Sequence, residues 1–126
     1  ERSNEDLDVA VERALADLPV TVGQAKFLRH IVAERDGVPP ARLAELAGCS
    51  RPNATQLLAR LQRAGLVARE ETPSDGRSVR IRATDRGRQV LAEAIDALGR
   101  FERTLRERLG DPQARALWEL LEDVLP

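Results

Sequence analysis

Arginines occupy alternate positions just after a turn-forming sequence in the middle of the chain. Residues 72–84 read TPSDGRSVRIRAT, and PSDG is typical of a tight turn between two strands. Side chains alternate between the two faces of a strand, so Val79 and Ile81 would pack inward on neighbouring helices. Arg80 and Arg82 would then lie on the outer face, where guanidinium groups meet solvent or bind phosphate.

The tip of this predicted hairpin carries a third arginine beside an acid. Only Gly76 separates Asp75 from Arg77, and an ion pair between these two side chains would orient the guanidinium group. A hairpin tip is narrow enough to enter the minor groove of DNA, where arginine is favoured. The alternative is a solvated aspartate and arginine in a tight turn, because Asp and Gly are common in turns for local reasons.

A second group of polar side chains precedes the hairpin. Over residues 50–64 a helical wheel collects the leucines on one side and polar residues on the other. The polar side contains two amides able to bind adenine edges and arginines suited to guanine or phosphate. The alternative is an ordinary surface helix, which is also polar on its outer face. The candidate DNA-binding residues of this segment are Ser50, Arg51, Pro52, Asn53, Thr55, Gln56, Arg60 and Arg63.

Basic residues are concentrated in the centre of the chain, although its 126 residues carry a net charge of −1. Residues 51–90 contain nine arginines and four acidic residues, whereas both flanking segments are acidic. A polyanion senses the local field within about a Debye length, roughly 8–10 Å. The overall charge therefore does not exclude nucleic acid as a partner.

Amphipathic helices are predicted on the N-terminal side of this basic segment. The first covers residues 4–18 and ends before Pro19. Thr21 can cap the second, which Asp36 and Gly37 would close.

Two shorter helices and two strands follow. Pro40 stands where a third helix would begin, and Gly48 would end it. Ser50 can cap a fourth helix of about four turns, and two helices joined by a short glycine-containing turn form a helix-turn-helix. The segments LVAREE and SVRIRA then predict the strands of the hairpin. The order helix, turn, helix, hairpin describes a winged helix-turn-helix.

A long helix and a shorter one complete the chain. Apolar residues recur at three- and four-residue steps from Thr84 to Leu109, and residues 113–125 form a last amphipathic segment. A helix of about 25 residues is some 37 Å long, so it extends beyond the winged module and needs partners. The first helix and these two could bury their apolar sides together in a homodimer. The alternative is an intramolecular three-helix cap on a monomer.

The composition argues against several other classes of function. Cys49 and His30 are the only residues of their types, and no glycine-rich phosphate loop is present, so we expect no metal, no cofactor and no enzyme. No apolar run approaches the roughly 20 residues of a membrane span, and ERSNEDLD is unlike a signal peptide. We expect a cytoplasmic protein that makes no membrane contact.

Residues 39–90 resemble the MarR (multiple antibiotic resistance regulator) family of bacterial winged-helix transcription factors. The family segment Leu-x-x-x-Gly-Leu-Val-x-Arg corresponds to residues 61–69, and its Asp-x-Arg wing corresponds to Asp75 and Arg77. Its Leu-Thr-x-x-Gly helix start corresponds to residues 83–87, with alanine in place of the usual leucine.

The resemblance implies a homodimer whose first and last helices intertwine. Its recognition helices would lie in successive major grooves of a pseudo-palindrome, its wings would lie in the flanking minor grooves, and Asp75 would position Arg77. The function implied is a sequence-specific transcriptional regulator of double-stranded DNA, and we expect a repressor released by a small-molecule effector. The alternative is a winged-helix adaptor that binds an acidic protein instead of DNA.

Members of the family commonly bind small aromatic or phenolic anions between the dimer helices and the winged domain, or respond to oxidants through cysteine. Arg13, Phe27, His30 and Trp118 are candidate effector-binding residues. Phe27 and Trp118 fit a core equally well, and the other two fit a surface or dimer contact. Cys49 precedes the recognition helix, whereas the family's redox sensors carry their cysteine in the first helix, so we prefer a small side chain that fills the turn.

The predicted fold class is mostly α with a small β-hairpin wing, a winged helix-turn-helix with N- and C-terminal dimerisation helices. We expect a single domain over residues 1–126. Residues 21–87 would form the DNA-binding module, and residues 1–20 and 88–126 would form the dimerisation helices.

Overall fold

The computed structural model describes residues 2–72 and 78–125, and this part of the chain contains six helices and one antiparallel pair of strands. The elements are α1 (Arg2–Ala14), α2 (Val22–Ala33), α3 (Pro40–Ala47), α4 (Arg51–Arg63), β1 (Val67–Thr72), β2 (Ser78–Ala83), α5 (Asp85–Leu109) and α6 (Asp111–Leu121). This order confirms the predicted mostly helical fold with a hairpin after the second helix of a helix-turn-helix.

Side chains at the predicted positions cap the helices. Thr21 Oγ1 accepts from the backbone N–H of Gln24 at 3.2 Å, and Gln24 Oε1 accepts from the backbone N–H of Thr21 at 2.9 Å. Ser50 Oγ accepts from the backbone N–H of Asn53 at 3.3 Å. Each cap satisfies a backbone donor that has no partner within its own helix, so these local signals fix where α2 and α4 begin.

Three helices end earlier than the sequence predicted, and the last of them, α6, covers Asp111–Leu121 where residues 113–125 were expected. The first ends at Ala14 and not at residue 18, because Leu15 and Leu18 donate to carbonyls only three residues back, in tight turns that lead into Pro19. The second ends at Ala33, because Glu34 is already extended. The predicted end at Gly37 was wrong, since Gly37 belongs to a separate turn in which its N–H donates to Glu34 O at 3.0 Å.

One hydrophobic core connects the winged module with the terminal helices. Phe27, Leu28 and Ile31 of α2 are almost completely buried at its centre. Every other helix and β2 contribute to the same cluster, which includes Val11, Leu43, Leu61, Ile81, Leu98, Leu117 and Leu121. Burying each of these side chains stabilises the fold by about 1.5–3 kcal/mol before conformational entropy is counted.

The junction between the hairpin and α5 depends on a threonine and a glycine. Thr84 caps α5 through Gly87 N–H at 3.0 Å, and its hydroxyl also donates to Gly65 O at 2.8 Å. A Cβ on Gly87 would lie 2.0 Å from Leu66 O, so only glycine permits this approach of α5 to the turn between α4 and β1. The Thr-x-x-Gly pattern therefore fixes the long helix directly onto the winged module.

The long helix α5 has 25 residues, as its periodicity predicted. No helix within residues 2–72 and 78–125 is long and apolar enough to cross a membrane.

Candidate nucleic-acid interface

A glycine turn fixes the angle between α3 and α4. Gly48 has a φ of 65°, a left-handed conformation that favours glycine, and its N–H donates to Glu45 O at 3.2 Å. Cys49 N–H donates to Ala44 O at 3.0 Å, and the half-buried Cys49 side chain packs against the core. This turn holds the start of α4 rigidly, and the packing of Cys49 agrees with the preferred interpretation of a side chain that fills the turn.

The two sides of α4 divide as the helical wheel predicted. Ala54, Leu58 and Leu61 are buried against the core. All eight candidate DNA-binding residues of this segment, from Ser50 to Arg63, are exposed. Within this set Asn53, Gln56, Arg60 and Arg63 follow three- and four-residue steps, so they share one face of the helix. Two amides and two arginines are thereby presented together to the surroundings.

Two of the candidates on α4 also have a structural role. The Ser50 hydroxyl oxygen caps the helix, and the Thr55 hydroxyl donates to Arg51 O at 2.9 Å. Their contacts with DNA stay a prediction.

The strand register gives the wing, residues 67–83, an inner and an outer face. Arg69 pairs with Ile81 and Glu70 pairs with Arg80, and directly paired residues point to the same side of a sheet. Ile81 is completely buried, so its face, which also carries Arg69, is the inner one. Glu70, Arg80 and Arg82 therefore lie on the outer face, as alternation along β2 predicted.

Arg80 and Arg82 are half-buried and bonded to the chain itself, which differs from the expected contact with solvent or phosphate. Arg82 Nε donates to Glu70 Oε2 at 3.0 Å. Its other nitrogens donate to two backbone carbonyls of the loop between α2 and α3, those of Arg35 and Asp36. Arg80 Nη1 donates to Gly37 O in the same loop at 3.2 Å.

These two arginines are bonded to the loop because a backbone bridge joins the loop to β2, and the sequence of the hairpin alone does not indicate this bridge. Val38 and Ile81 exchange two N–H to carbonyl bonds, each of 2.8 Å, so the loop of residues 34–37 lies beside β2. The loop carbonyls at this edge need donors, and the two arginines supply them. Phosphate contacts by Arg80 and Arg82 stay a prediction, and each would require the side chain to share or exchange these partners.

The predicted pair of Asp75 and Arg77 lies outside the described residues. The orientation of Arg77 by Asp75 and its entry into a minor groove therefore stay predictions.

A cleft of about 350 Å³ separates the base of the wing from α3 and the first half of α4. Arg51 and Thr55 of α4 and Arg69 of β1 line it together with apolar residues that include Leu43 and Leu58. No functional role was predicted for Arg69 from the sequence. The sequence does contain an indication of such a role, because a charged residue is unusual on the side of a half-buried strand that alternation predicts to be apolar.

Several arginines around this face have no acidic partner among the residues that the structure describes. The ion pairs among the described residues are Arg82–Glu70, Arg88–Asp85 and Arg106–Glu102. The exposed arginines of the α4 and β1 region that take part in none of them are Arg51, Arg60, Arg63 and Arg69. This leaves a positive surface that extends from the start of α4 to the wing.

The candidate effector residues are not brought together within the chain. Phe27 is 2% exposed and belongs to the core, and His30 is half-buried in the last turn of α2. Arg13 lines a shallow surface site on α1, whereas the partly exposed Trp118 lines a cleft of about 430 Å³ with Arg106, Asp111 and Arg115. Their joint role in effector binding stays a prediction.

The terminal helices leave an apolar groove. About 520 Å³ of space lies between α1, α5 and α6, lined mainly by apolar residues that include Leu7, Phe101 and Leu105. Leu109, in the same groove, is 58% exposed. Large apolar side chains are seldom left in this state on an isolated protein when they adjoin one another.

The model of the MarR family matches residues 16–78, half of the chain. The chain belongs to the MarR family. It is 31% identical over 112 residues to the HTH-type transcriptional repressor Rv2887 of Mycobacterium tuberculosis, which covers 89% of this chain and 80% of that protein. The predicted resemblance is thereby confirmed, and so is the functional class: the chain is a transcriptional regulator and belongs to a family of non-enzymatic proteins.

Two solved structures show the same architecture over almost the whole chain. The repressor CouR bound to a 23-mer DNA duplex is 31% identical, with a TM-score of 0.75, and the match covers 98% of this chain and 87% of that one. Rv2887 in complex with salicylic acid is 30% identical, with a TM-score of 0.67, and the match covers 98% of this chain and 90% of that one. Both likenesses include the terminal helices as well as the winged module.

Proposed function

We propose that this protein is a homodimeric repressor that binds a pseudo-palindromic sequence of double-stranded DNA and is released by a small aromatic or phenolic anion. The observation that carries the proposal is the exposed face of α4, where two amides and two arginines share one side of a rigidly held helix. The DNA duplex bound by the relative CouR supports it.

Recognition of the operator would rest on α4 in the major groove. Asn53 and Gln56 can each make two hydrogen bonds to an adenine edge, and Arg60 or Arg63 can bind guanine or phosphate. Arg77 would enter the minor groove beside it, oriented by Asp75. In this arrangement residues 21–87 act as the DNA-binding module.

Two such modules need a rigid connection, because half-sites lie about one helical turn, roughly 34–36 Å, apart. The groove between α1, α5 and α6 supports a dimer in which residues 1–20 and 88–126 of two copies cover each other's apolar side chains. Leu109→Glu tests this interface. In a monomer the exposed Leu109 side chain can be replaced at little cost to stability. A symmetric dimer interface would instead bury the new carboxylate of each copy, which is unfavourable.

The dimer experiment is sedimentation of the purified protein at micromolar concentration. We expect the wild type to sediment as a dimer and Leu109→Glu to shift it towards monomer, while Arg42→Gln, an exposed change on α3 outside the proposed interface, leaves the dimer intact. A wild-type monomer would favour the intramolecular three-helix cap.

The effector is proposed from chemistry that relatives share. Rv2887 has been crystallised with salicylic acid, and Trp118 and Arg115, which line one cleft with Asp111 and the ion-paired Arg106, offer an aromatic face and a guanidinium group to such an anion. Arg13, Phe27 and His30 remain candidates for the same site in the assembled dimer. A repressor controlled in this way would work in the cytoplasm, where its operator is.

The deciding experiment is selection of bound duplexes from fragments of the source genome, followed by gel shifts with and without salicylic acid as the first probe. We expect nanomolar binding to a pseudo-palindrome, a marked loss of affinity in Arg77→Ala, and release by the aromatic acid. Failure of the wild type to bind any duplex would favour the protein-binding adaptor.

A further inference from the structure

Arg51 and Arg69 come from different elements but line one cleft. Arg51 lies in the first turn of α4 and Arg69 lies in the middle of β1, and both side chains are exposed. No acidic side chain among the described residues lines this cleft, and neither arginine belongs to an ion pair there. Two guanidinium groups that face the same space without an acid between them repel each other, and a bound anion would remove that repulsion.

The register of the wing explains why Arg69 points towards α4. Arg69 is paired with Ile81, so its side chain leaves the sheet on the buried face and extends along the edge of the core. Leu43 and Leu58 form the apolar floor of the cleft beneath it. An apolar floor lowers the local dielectric constant, which strengthens any contact between a guanidinium group and an anion.

The position of the cleft between α4 and the wing favours a phosphate of the DNA backbone as the anion. When a recognition helix lies in the major groove and a wing lies in the adjacent minor groove, one sugar-phosphate strand must run between them, because a phosphate strand separates the two grooves. The cleft lies between the first half of α4 and the base of the wing, and the guanidinium fork matches the oxygens of a phosphate.

We propose that Arg51 and Arg69 hold the phosphodiester strand that passes between the major and the minor groove of the operator. This inference rests on the proposed binding of duplex DNA, and it adds Arg69 as a DNA contact. It also assigns Arg51 to phosphate and not to a base edge. A phosphate contact contributes to affinity for every sequence and fixes the position of α4 along the groove.

The first test compares Arg69→Gln and Arg51→Gln with Arg69→Lys and with Arg100→Gln. Arg100 is an exposed arginine about 22 Å along α5 from its first residue, so it serves as the matched control. Affinity for the selected operator and for a random duplex is measured over a series of salt concentrations.

We expect each Gln substitution to lower the affinity for both duplexes by similar factors, at least ~10-fold at about 0.15 M salt. The slope of log K against log salt should decrease by about 1.8 per dimer, roughly 0.9 for each lost contact. Arg69→Lys should keep most of the slope, and Arg100→Gln should match the wild type. A wild-type slope and affinity in Arg69→Gln would overturn the inference while leaving the proposed function intact.

A second measurement maps the operator phosphates that the wild-type protein contacts and compares them with those that Arg69→Gln contacts. Single phosphates of the operator are replaced in turn by uncharged methylphosphonates. One replacement per half-site, next to the major-groove contacts, should weaken DNA binding by the wild type and have a smaller effect on Arg69→Gln, in which only Arg51 still contacts that strand. An equal loss in both proteins at every position would overturn the inference, and a wild type that binds no duplex would overturn the proposed function with it.

Discussion

On the outer face of the wing Arg82 donates to three acceptors within the chain, whereas on the inner face Arg69 lies exposed over a cleft that it shares with another arginine. The two residues have the same chemistry and lie on adjacent strands. They differ in their neighbouring elements. Arg82 lies beside a loop whose backbone carbonyls accept hydrogen bonds, and Arg69 lies beside the start of a polar helix.

This difference separates the support of the wing from its binding chemistry. The outer arginines hold β2 against the loop between α2 and α3, which fixes the direction in which the hairpin leaves the body. The inner arginine has no such partner among the described residues and is available to an anion. The face of the sheet on which an arginine lies is therefore a poor guide to its function unless its hydrogen bonds are known as well.

The largest expected effect comes from the apolar residue of the inner face. Ile81→Ala removes a fully buried side chain beside the bridge to Val38 and should lower the free energy of unfolding by roughly 2–5 kcal/mol. Val79→Ala, at a half-buried position of the same strand, should cost only about 1 kcal/mol. Urea unfolding at a fixed protein concentration measures both. Equal losses would mean that the packing of the Ile81 side chain does not anchor the wing.

A smaller effect is expected for the outer face. Arg82→Gln removes charged hydrogen bonds to Glu70 and to two loop carbonyls, so it should reduce the free energy of unfolding by about 1–2 kcal/mol. Its DNA affinity should fall because the wing is held less firmly, while the dependence on salt stays that of the wild type. A slope smaller by about 1.8 per dimer would show instead that Arg82 contacts phosphate, and the contrast with Arg69 would be lost.

The sequence alone was sufficient wherever the deciding contact is local. Thr21 and Ser50 cap helices through backbone groups three residues away, and the alternation along β2 depends only on the geometry of a strand. The helix-turn-helix, the hairpin and the polar face of α4 were predicted for the same reason. The end of α1 was not, because the tight turns before Pro19 depend on how Leu15 and Leu18 enter the core.

Contacts between distant segments could not be predicted in this way. Arg82 and its acceptor Asp36 are 46 residues apart, and nothing in either segment indicates the bridge that brings them together. The role of Arg69 depends on the strand register, because a shift of one residue would place it on the outer face. The candidate effector residues were chosen without knowledge of the packing, and the fold places Phe27 in the core and Arg13 and Trp118 in different clefts.

The smallest predicted effect gives the most specific test of how Arg82 is held. Glu70→Gln removes the carboxylate that pairs with Arg82, and since both side chains are partly exposed the loss should be only about 0.5 kcal/mol. Glu71→Gln removes the same charge one position further along β1, on the inner face, and should change stability by less than about 0.3 kcal/mol.

Combining these changes with Arg82→Gln separates the pair from its surroundings. If Glu70 acts through Arg82, Glu70→Gln should have no further effect on unfolding once Arg82 has been replaced, which gives a coupling free energy of about 0.5 kcal/mol. Both glutamine substitutions remove one negative charge from β1, so their long-range effects on DNA affinity should nearly match. The difference in DNA affinity between Glu70→Gln and Glu71→Gln then reports how the loss of the ion pair with Arg82 changes DNA binding by the wing. An equal destabilisation by Glu70→Gln with and without Arg82 would mean that the ion pair is incidental and that the loop carbonyls alone hold this arginine.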